Sequence, residues 1–326
     1  MSSSTIQELI ANAKESSVSG ARPAAQGDGI RGATDTLLAS MRKLGHQFAV
    51  GKDFRDNPAV LLQPKNGAGP DLYMDLVPSV VTWAELSGQG NNGQTLPMGG
   101  EIDEGQAKFS LTVRAGLNQG VTYDLDEADQ EALASAQVEQ RAHIQGMCDE
   151  FWNWAFDNAE KVPNLLKAKT EALNTAMMAI EMAQGRTVPA TDEAVVAFAR
   201  KKFVGGARSP FTLSKDGEQR FKAAQKVFKR DPNNKSGFVP RYAPRVFQHG
   251  TCLNDNDKET IHVRSKDLVA QRVRFKTWSA PFGYGISCDL IKVDLLASGG
   301  GGGGGGKKRA PEESPFSAMF AKRARA

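Results

Sequence analysis

The residues best equipped for chemistry as a group are cations and aromatic rings on a strand pattern near the C-terminus. In VAQRVRFKTW, ending at Trp278, apolar and basic residues alternate, and YGISCDLIKVDLL alternates again after a short break. Successive side chains of a strand point to opposite faces. Arg272, Arg274, Lys276 and Trp278 therefore share one face, while Gln271, Val273 and Phe275 take the other. One face reads as core, the other as a row of cations ending in an indole. Such a row binds phosphates and offers a ring for a base to stack on; the alternative is a solvated edge strand that charge protects from pairing.

Further groups of the same kind surround it. Phe282 and Tyr284 fall in the glycine-bearing loop after Trp278, where they either stack on a ligand or pack over the end of the sheet. Arg220, Lys222, Lys226, Lys229 and Arg230 follow the turn signal Asp216-Gly217. Arg241, Tyr242 and Arg245 lie in the next connection, flanked by Phe238 and Phe247.

Catalytic patterns fare worse. The run from Gly301 to Lys308 nearly matches a phosphate-binding loop, but Lys308 stands where Ser or Thr must hold magnesium, and no helix pattern follows. It reads as a linker. His249, Cys252 and His262 have a loose metal spacing with too few ligands for zinc, and Asp255 and Asp257 read as a turn. No Ser/His/Asp arrangement and no HExxH run can be picked out. The expectation is a protein that is not an enzyme and needs no cofactor or metal.

Charge supports a binding role. The net charge is only +4 over 326 residues, yet from Arg200 to Arg245 thirteen Lys and Arg stand against three acids. From Glu101 to Glu160 the balance inverts, thirteen acids against three cations. Segregation of this kind bears on partners rather than on fold. It suits an anionic partner, or else two solvated faces of opposite sign. No apolar run approaches the ~20 residues needed to span a bilayer, so no membrane partner is expected. Three cysteines without a CxxC pair, and an N-terminus without a signal-peptide core, imply reduced thiols inside a cell.

The elements that must position these groups follow from periodicity. Thr5–Lys14 and Thr34–Leu44 read as short helices, each opening on a Thr cap and joined by a mobile Gly/Ala/Ser linker. Strands follow from Pro58: AVLLQPK, LYMDLVPSVVTWAEL and AKFSLTVRAG. A long helix is capped by Asp124 or Asp126, carries the stripe Ile144, Met147, Cys148, Phe151, Trp154 and Ala155, and stops at Pro163. The aromatic cluster Phe151, Trp152, Trp154 and Phe156 lies among acids that would repel phosphate, so packing against a sheet is the expected role. A second helix, Leu165–Gln184, ends at Gly185, and a third is capped by Thr191 and ends at Gly205-Gly206. Basic strands then return, with EQRFKAAQKVFK read as strand although its propensity would also allow helix.

The fold class expected is α+β: an OB-fold-like antiparallel barrel with a long helical insertion, flexible N-terminal helices and a Gly-linked C-terminal tail. The expected segments are 1–54, flexible and helical; 55–298, the barrel with its insertion at about 125–204; and 299–326, linker and basic tail. In order of elements, residues 55–300 resemble the phage single-stranded DNA-binding proteins of the T-seven type and their relatives in large eukaryotic DNA viruses. The residues that carry the likeness are Pro210-Phe211, Asp216-Gly217, the strand opening Arg220-Phe221-Lys222, and the last two strands before the glycines. More loosely, AKFSLTVRAG runs into the acidic helix with Phe151 and Trp152. The resemblance implies sequence-independent single-stranded DNA binding in viral replication and recombination, with coating and annealing of strands. DNA polymerase or other replication proteins are implied as partners of the tail, and a homodimer is left open.

The tail departs from that family, whose tails are acidic and end in an aromatic. Here only Glu312 to Phe316 keeps an acidic-aromatic kernel, with Phe320 after it; Phe316 and Phe320 are the candidate docking residues. Lys307, Lys308 and Arg309, then Lys322, Arg323 and Arg325, resemble a bipartite nuclear import signal. A host nucleus or viral replication site would follow; extra DNA affinity and a merely solvated end are the other readings. Two rival functions stand beside the main one. A virion scaffold with a nucleic-acid-binding tail would bind DNA through the tail alone, and a duplex or RNA binder would not prefer the single strand.

Overall fold

Phe109, Leu111 and Val113 are buried while Lys108, Thr112 and Arg114 reach solvent, the period of two that alternation demands, with Ser110 alone of the outer positions covered. The computed structural model describes residues 29–52, 56–65, 71–86, 107–117, 123, 125–226, 228–230, 238–240, 244–248, 251–253 and 263–299. Thr5–Lys14, Asp255, Asp257 and all residues from 300 onward lie outside the described residues.

In chain order the elements are α1 (Gly29–Lys43), β1 (His46–Lys52), β2 (Pro58–Pro64), β3 (Leu72–Glu85) and β4 (Lys108–Arg114). The helical insertion follows: α2 (Glu127–Asp157), a 3-10 turn (Ala159–Lys161), α3 (Pro163–Gln184) and α4 (Glu193–Gly206). Then come β5 (Phe211–Leu213), β6 (Gln219–Lys226), β7 (Phe228–Arg230), β8 (Phe238–Pro240), β9 (Arg245–Gln248), β10 (Thr251–Cys252), β11 (Leu268–Ala280) and β12 (Gly283–Ala297). Eight strands form one sheet in the order β10-β9-β12-β11-β3-β4-β6-β5, and β1–β2 and β7–β8 are separate hairpins. The stretch from Gln219 is strand, as expected, because Phe221 and Ala223 complete the core behind β4.

Among the described residues the barrel expected from the sequence is not closed: the ladder of named strands ends at β5 on one side and β10 on the other. A parallel bridge, Arg208 with Gly285, spans from the approach to β5 back to β12. The Arg208 N–H donates to the Tyr284 carbonyl at 2.9 Å, and the Arg208 carbonyl accepts from Ile286 at 2.8 Å. The next parallel bond would need an N–H on residue 210, and that residue is proline. Pairing therefore stops after one residue, and the Pro210 carbonyl turns to β6, accepting from Lys222 at 3.0 Å. Gly285 is required at the bridge, since a Cβ there would meet the Arg208 carbonyl at 2.5 Å.

α2 closes the apolar side of the sheet. Asp126 caps it, accepting from the Asp129 N–H at 2.6 Å, with acids in the first turn at the positive end of the helix dipole. Ile144, Met147, Cys148, Phe151 and Ala155 are buried as the stripe predicts, while Trp154 is only partly covered and Trp152 is buried in its place. Each fully buried large apolar side chain contributes about 1.5–3 kcal/mol. Gln140 accepts from the Val77 N–H at 2.6 Å and Gln137 donates to the Pro78 carbonyl at 2.7 Å. They satisfy the backbone of β3 where its register with β11 shifts.

Helix ends differ in detail from the expectation. α2 stops at Asp157, and Pro163 opens α3 instead of ending α2, because proline fits the first turn of a helix. Asp192, not Thr191, caps α4. α1 begins at Gly29, five residues before the expected Thr cap, and Thr34 is buried within it. Nor is α1 flexible. Leu38 and Met41 enter the core, and Arg42 forks onto Glu139 at 2.5 and 2.6 Å. The boundary expected at 54/55 falls between β1 and β2, which pair from His46↔Pro64 to Lys52↔Pro58.

Candidate nucleic-acid interface

The alternation of β11 places its residues as expected: Gln271, Val273 and Phe275 are buried, and Arg272, Arg274, Lys276 and Trp278 face outward. The cations do not stand alone there. The Asp71-Leu72-Tyr73-Met74-Asp75 stretch puts two carboxylates on the same outer face, and the β11–β12 register sets Asp289 opposite Arg274. Arg274 donates to Asp71 at 3.0 Å and to Asp289 at 2.5 Å; Lys276 also pairs with Asp289. Arg272 lies 3.8 Å from Asp75 and 5.8 Å from the Tyr73 ring centroid. On β12, Lys292 pairs with Asp294 at 3.0 Å and covers the Phe247 ring.

Burial would lower the Arg274 pKa, but the Asp289 hydrogen bond and the charges of Asp289 and Asp71 overcome it and hold the guanidinium firmly charged. Burial pushes the Asp75 carboxyl up, against the pull of Arg272 and Lys292. The row of cations is thus a lattice of ion pairs. The sequence shows its positive half; the register supplies the negative half.

The end of the strand is different. Pro281 and Phe282 form the β11–β12 turn, and Phe282 is 78% exposed. Its ring centroid lies 6.3 Å from that of Trp278, tilted by 35°. Arg208, exposed, sits with its guanidinium carbon 5.7 Å from the Trp278 ring centroid, a cation–π contact. Among the described residues no carboxylate pairs with Arg208. The same bridge that spans the open seam delivers this cation to the indole.

Tyr284 does not join that platform. Its ring stacks on Phe203 at 4.7 Å and 24° and meets Trp152 edge-on, and its hydroxyl donates to the Phe203 carbonyl at 2.6 Å. Burial pushes its pKa up to about 12, with a smaller push from Glu171. Of the two roles open to it, loop packing is the one found, and it ties the helical insertion to β12. Arg220 shares Glu218 with Arg114, at 3.0 and 3.1 Å. Lys222, Lys226 and Arg245 are exposed, and among the described residues none has an ion-pair partner. Arg241 and Tyr242 lie outside the described residues, as do the side chains of Lys229 and Arg230, whose backbone forms β7. The candidate docking and import residues of the tail lie outside them too.

Two outward groups escape a reading of the sequence alone. Arg208 has a local signal, a lone cation between the Gly-Gly helix end and Pro210 where the chain re-enters the sheet. Trp83, 52% exposed, has one in Thr82-Trp83-Ala84-Glu85, where alternation resumes after a continuous apolar run. His249 and His262 lie outside the described residues, and among the described residues no three His, Cys, Asp or Glu cluster as a metal site would require.

Over its described residues the molecule is thus a mixed α+β protein of four helices and a large curled sheet, with an outward aromatic–cationic corner. No family model and no curated protein matches the sequence. Among solved structures it is similar to the crystal structure of gp2.5, a single-stranded DNA binding protein encoded by bacteriophage T7. The TM-score is 0.35 and the identity 10%, over 72% of this chain and 97% of that one. The single-stranded DNA-binding protein from bacteriophage Enc34 gives a TM-score of 0.34 at 10% identity, over 83% and 99% of the two chains. The same Enc34 protein in complex with ssDNA gives 0.33, also at 10% identity, over 80% and 99%.

Proposed function

We propose that the chain is a non-enzymatic, sequence-independent single-stranded DNA-binding protein. The observation that carries the reading is the corner of half-buried Trp278 and exposed Phe282, with Arg208 over the indole and no carboxylate against that guanidinium among the described residues. An unpaired strand presents base faces beside phosphates, and rings with adjacent cations bind both whatever the base. A duplex hides its base faces, so the rings favour the single strand. The resemblance in the order of elements supports the same reading.

Coating a strand in this way would remove hairpins ahead of a polymerase and allow complementary strands to anneal, in viral replication and recombination. On the same reading Phe316 and Phe320 would dock replication proteins, and the flanking basic clusters would direct nuclear import.

The test is fluorescence anisotropy with a labelled oligo-dT and a matched duplex over a salt series. The parent chain should prefer the single strand, and Trp278→Ala should weaken it roughly 5- to 100-fold. Equal affinity for duplex, or an unaffected Trp278→Ala variant, overturns the reading.

A further inference from the structure

Resting on the single-strand reading, we infer that the bound strand continues around the outside of the sheet from Trp278 to a second stacking site at Trp83, with its phosphates over Lys222 and Lys226. The path is set by register. Trp278 is opposite Gly285 on β12, and Gly285 bridges Arg208. Two residues on, Pro210 hydrogen-bonds to Lys222 on β6; Lys222 is opposite Thr112 on β4, and Thr112 is opposite Trp83 on β3. Residues opposite one another in a ladder share a face. Trp278, Arg208, Lys222 and Trp83 therefore all stand on the outside of the sheet, on a band that crosses the open seam. Five strand-to-strand steps of ~4.8 Å separate the two indoles by about 24 Å along that surface. A footprint of about 4–16 nucleotides is usual for a strand crossing such a sheet.

Three features make the far end a binding site rather than a stray aromatic. The Trp83 indole is 52% exposed although the β3 side chains at 80 and 81 are fully buried. Lys108 and Lys226 are directly opposite across β4 and β6, where like charges repel, and Lys222 completes the cluster. Burial lowers the Lys108 pKa, and the charges of Lys222 and Lys226 lower it further. A phosphate over Lys222 and Lys226, the two exposed members, would relieve that repulsion. Glu85, the acid nearest Trp83 along the strand on this face, accepts from the Ser110 hydroxyl at 3.1 Å.

The experiment compares oligo-dT strands of about four and about twelve nucleotides on the full chain, lengths that reach one platform or both. The parent should bind the longer strand more tightly. Trp83→Ala should flatten that gain, weakening the longer strand roughly 5- to 100-fold, with Trp83→Phe restoring most of it. Lys226→Gln should lower the salt slope by about 0.7, one phosphate contact on a single strand. Thermal unfolding of each variant separates these effects from lost structure. A length gain that survives Trp83→Ala in a folded protein overturns the inference. A parent chain that binds neither strand overturns the single-strand reading itself, which is a different failure.

Discussion

Two stretches of the outer surface carry the same kinds of residue and differ in what those residues are free to do. Along the middle of β11, Arg272, Arg274 and Lys276 are matched by Asp75, Asp71 and Asp289 from the neighbouring strands. Around the seam, Arg208, Lys222 and Lys226 are exposed, and among the described residues none has a carboxylate partner. The first group is engaged in ion pairs between strands. The second is available to an anion. Charge counted along a chain is therefore not the same as unpaired charge, because each carboxylate brought alongside competes with a ligand for its cation.

The largest effect that could break this contrast is on stability. Arg274→Ala strands Asp71 and leaves Asp289, only 7% exposed, with Lys276 alone, and should destabilise the fold by about 3 kcal/mol. Urea unfolding measures it, and single-strand affinity of the folded variant should be unchanged. A large loss of affinity at unchanged stability would show that β11 grips the ligand after all.

Next comes the aromatic corner. Trp278→Ala combined with Phe282→Ala should lower single-strand affinity by about 2–3 kcal/mol, with overlap between the two rings, while leaving the urea midpoint in place. Anisotropy titrations against oligo-dT decide it.

A smaller and sharper comparison sets Arg208→Ala beside Arg272→Ala. The first should reduce the slope of log affinity against log salt by about 0.7 and the second by close to nothing. Equal slopes for the two variants would erase the distinction between paired and free cations.

The smallest effect concerns Tyr284, which is structural on this account. Tyr284→Phe removes one hydrogen bond and should cost about 1 kcal/mol. Folding raises the phenol from its ordinary pKa of about 10 to about 12, so its stabilisation is complete below the first value and lost as pH rises through the second. The variant should flatten the alkaline limb of the stability curve, read by unfolding at stepped pH. An unchanged limb, together with weakened DNA binding, would return Tyr284 to the interface.

Much of this surface is legible in the residue pattern alone. Alternation assigns Arg272, Arg274, Lys276 and Trp278 to one face and Val273 and Phe275 to the other, and the structure keeps that assignment. An aspartate cap at 124 or 126 and Gly185 as a helix end are equally local statements; the structure takes Asp126 for the first and keeps the second. Pairing across the sheet is not legible in this way. Asp71 and Arg274 are 203 residues apart, and only the β3–β11 register brings them to 3.0 Å. The open seam follows from one proline, but only once Arg208 is known to lie beside β12.

Residue order is enough to say which way each strand side chain points and roughly where helices begin and end, because backbone geometry and capping act over a few residues. It is also enough to name the kinds of group on offer, cations and rings on strands. The assembled sheet was needed to decide which cations are neutralised, which ring receives Arg208, and that Trp83 lies on the same band as Trp278. Those outcomes depend on strand register across the whole chain, and electrostatic partnership falls off over a few ångströms, so a shift of one residue would rewrite them.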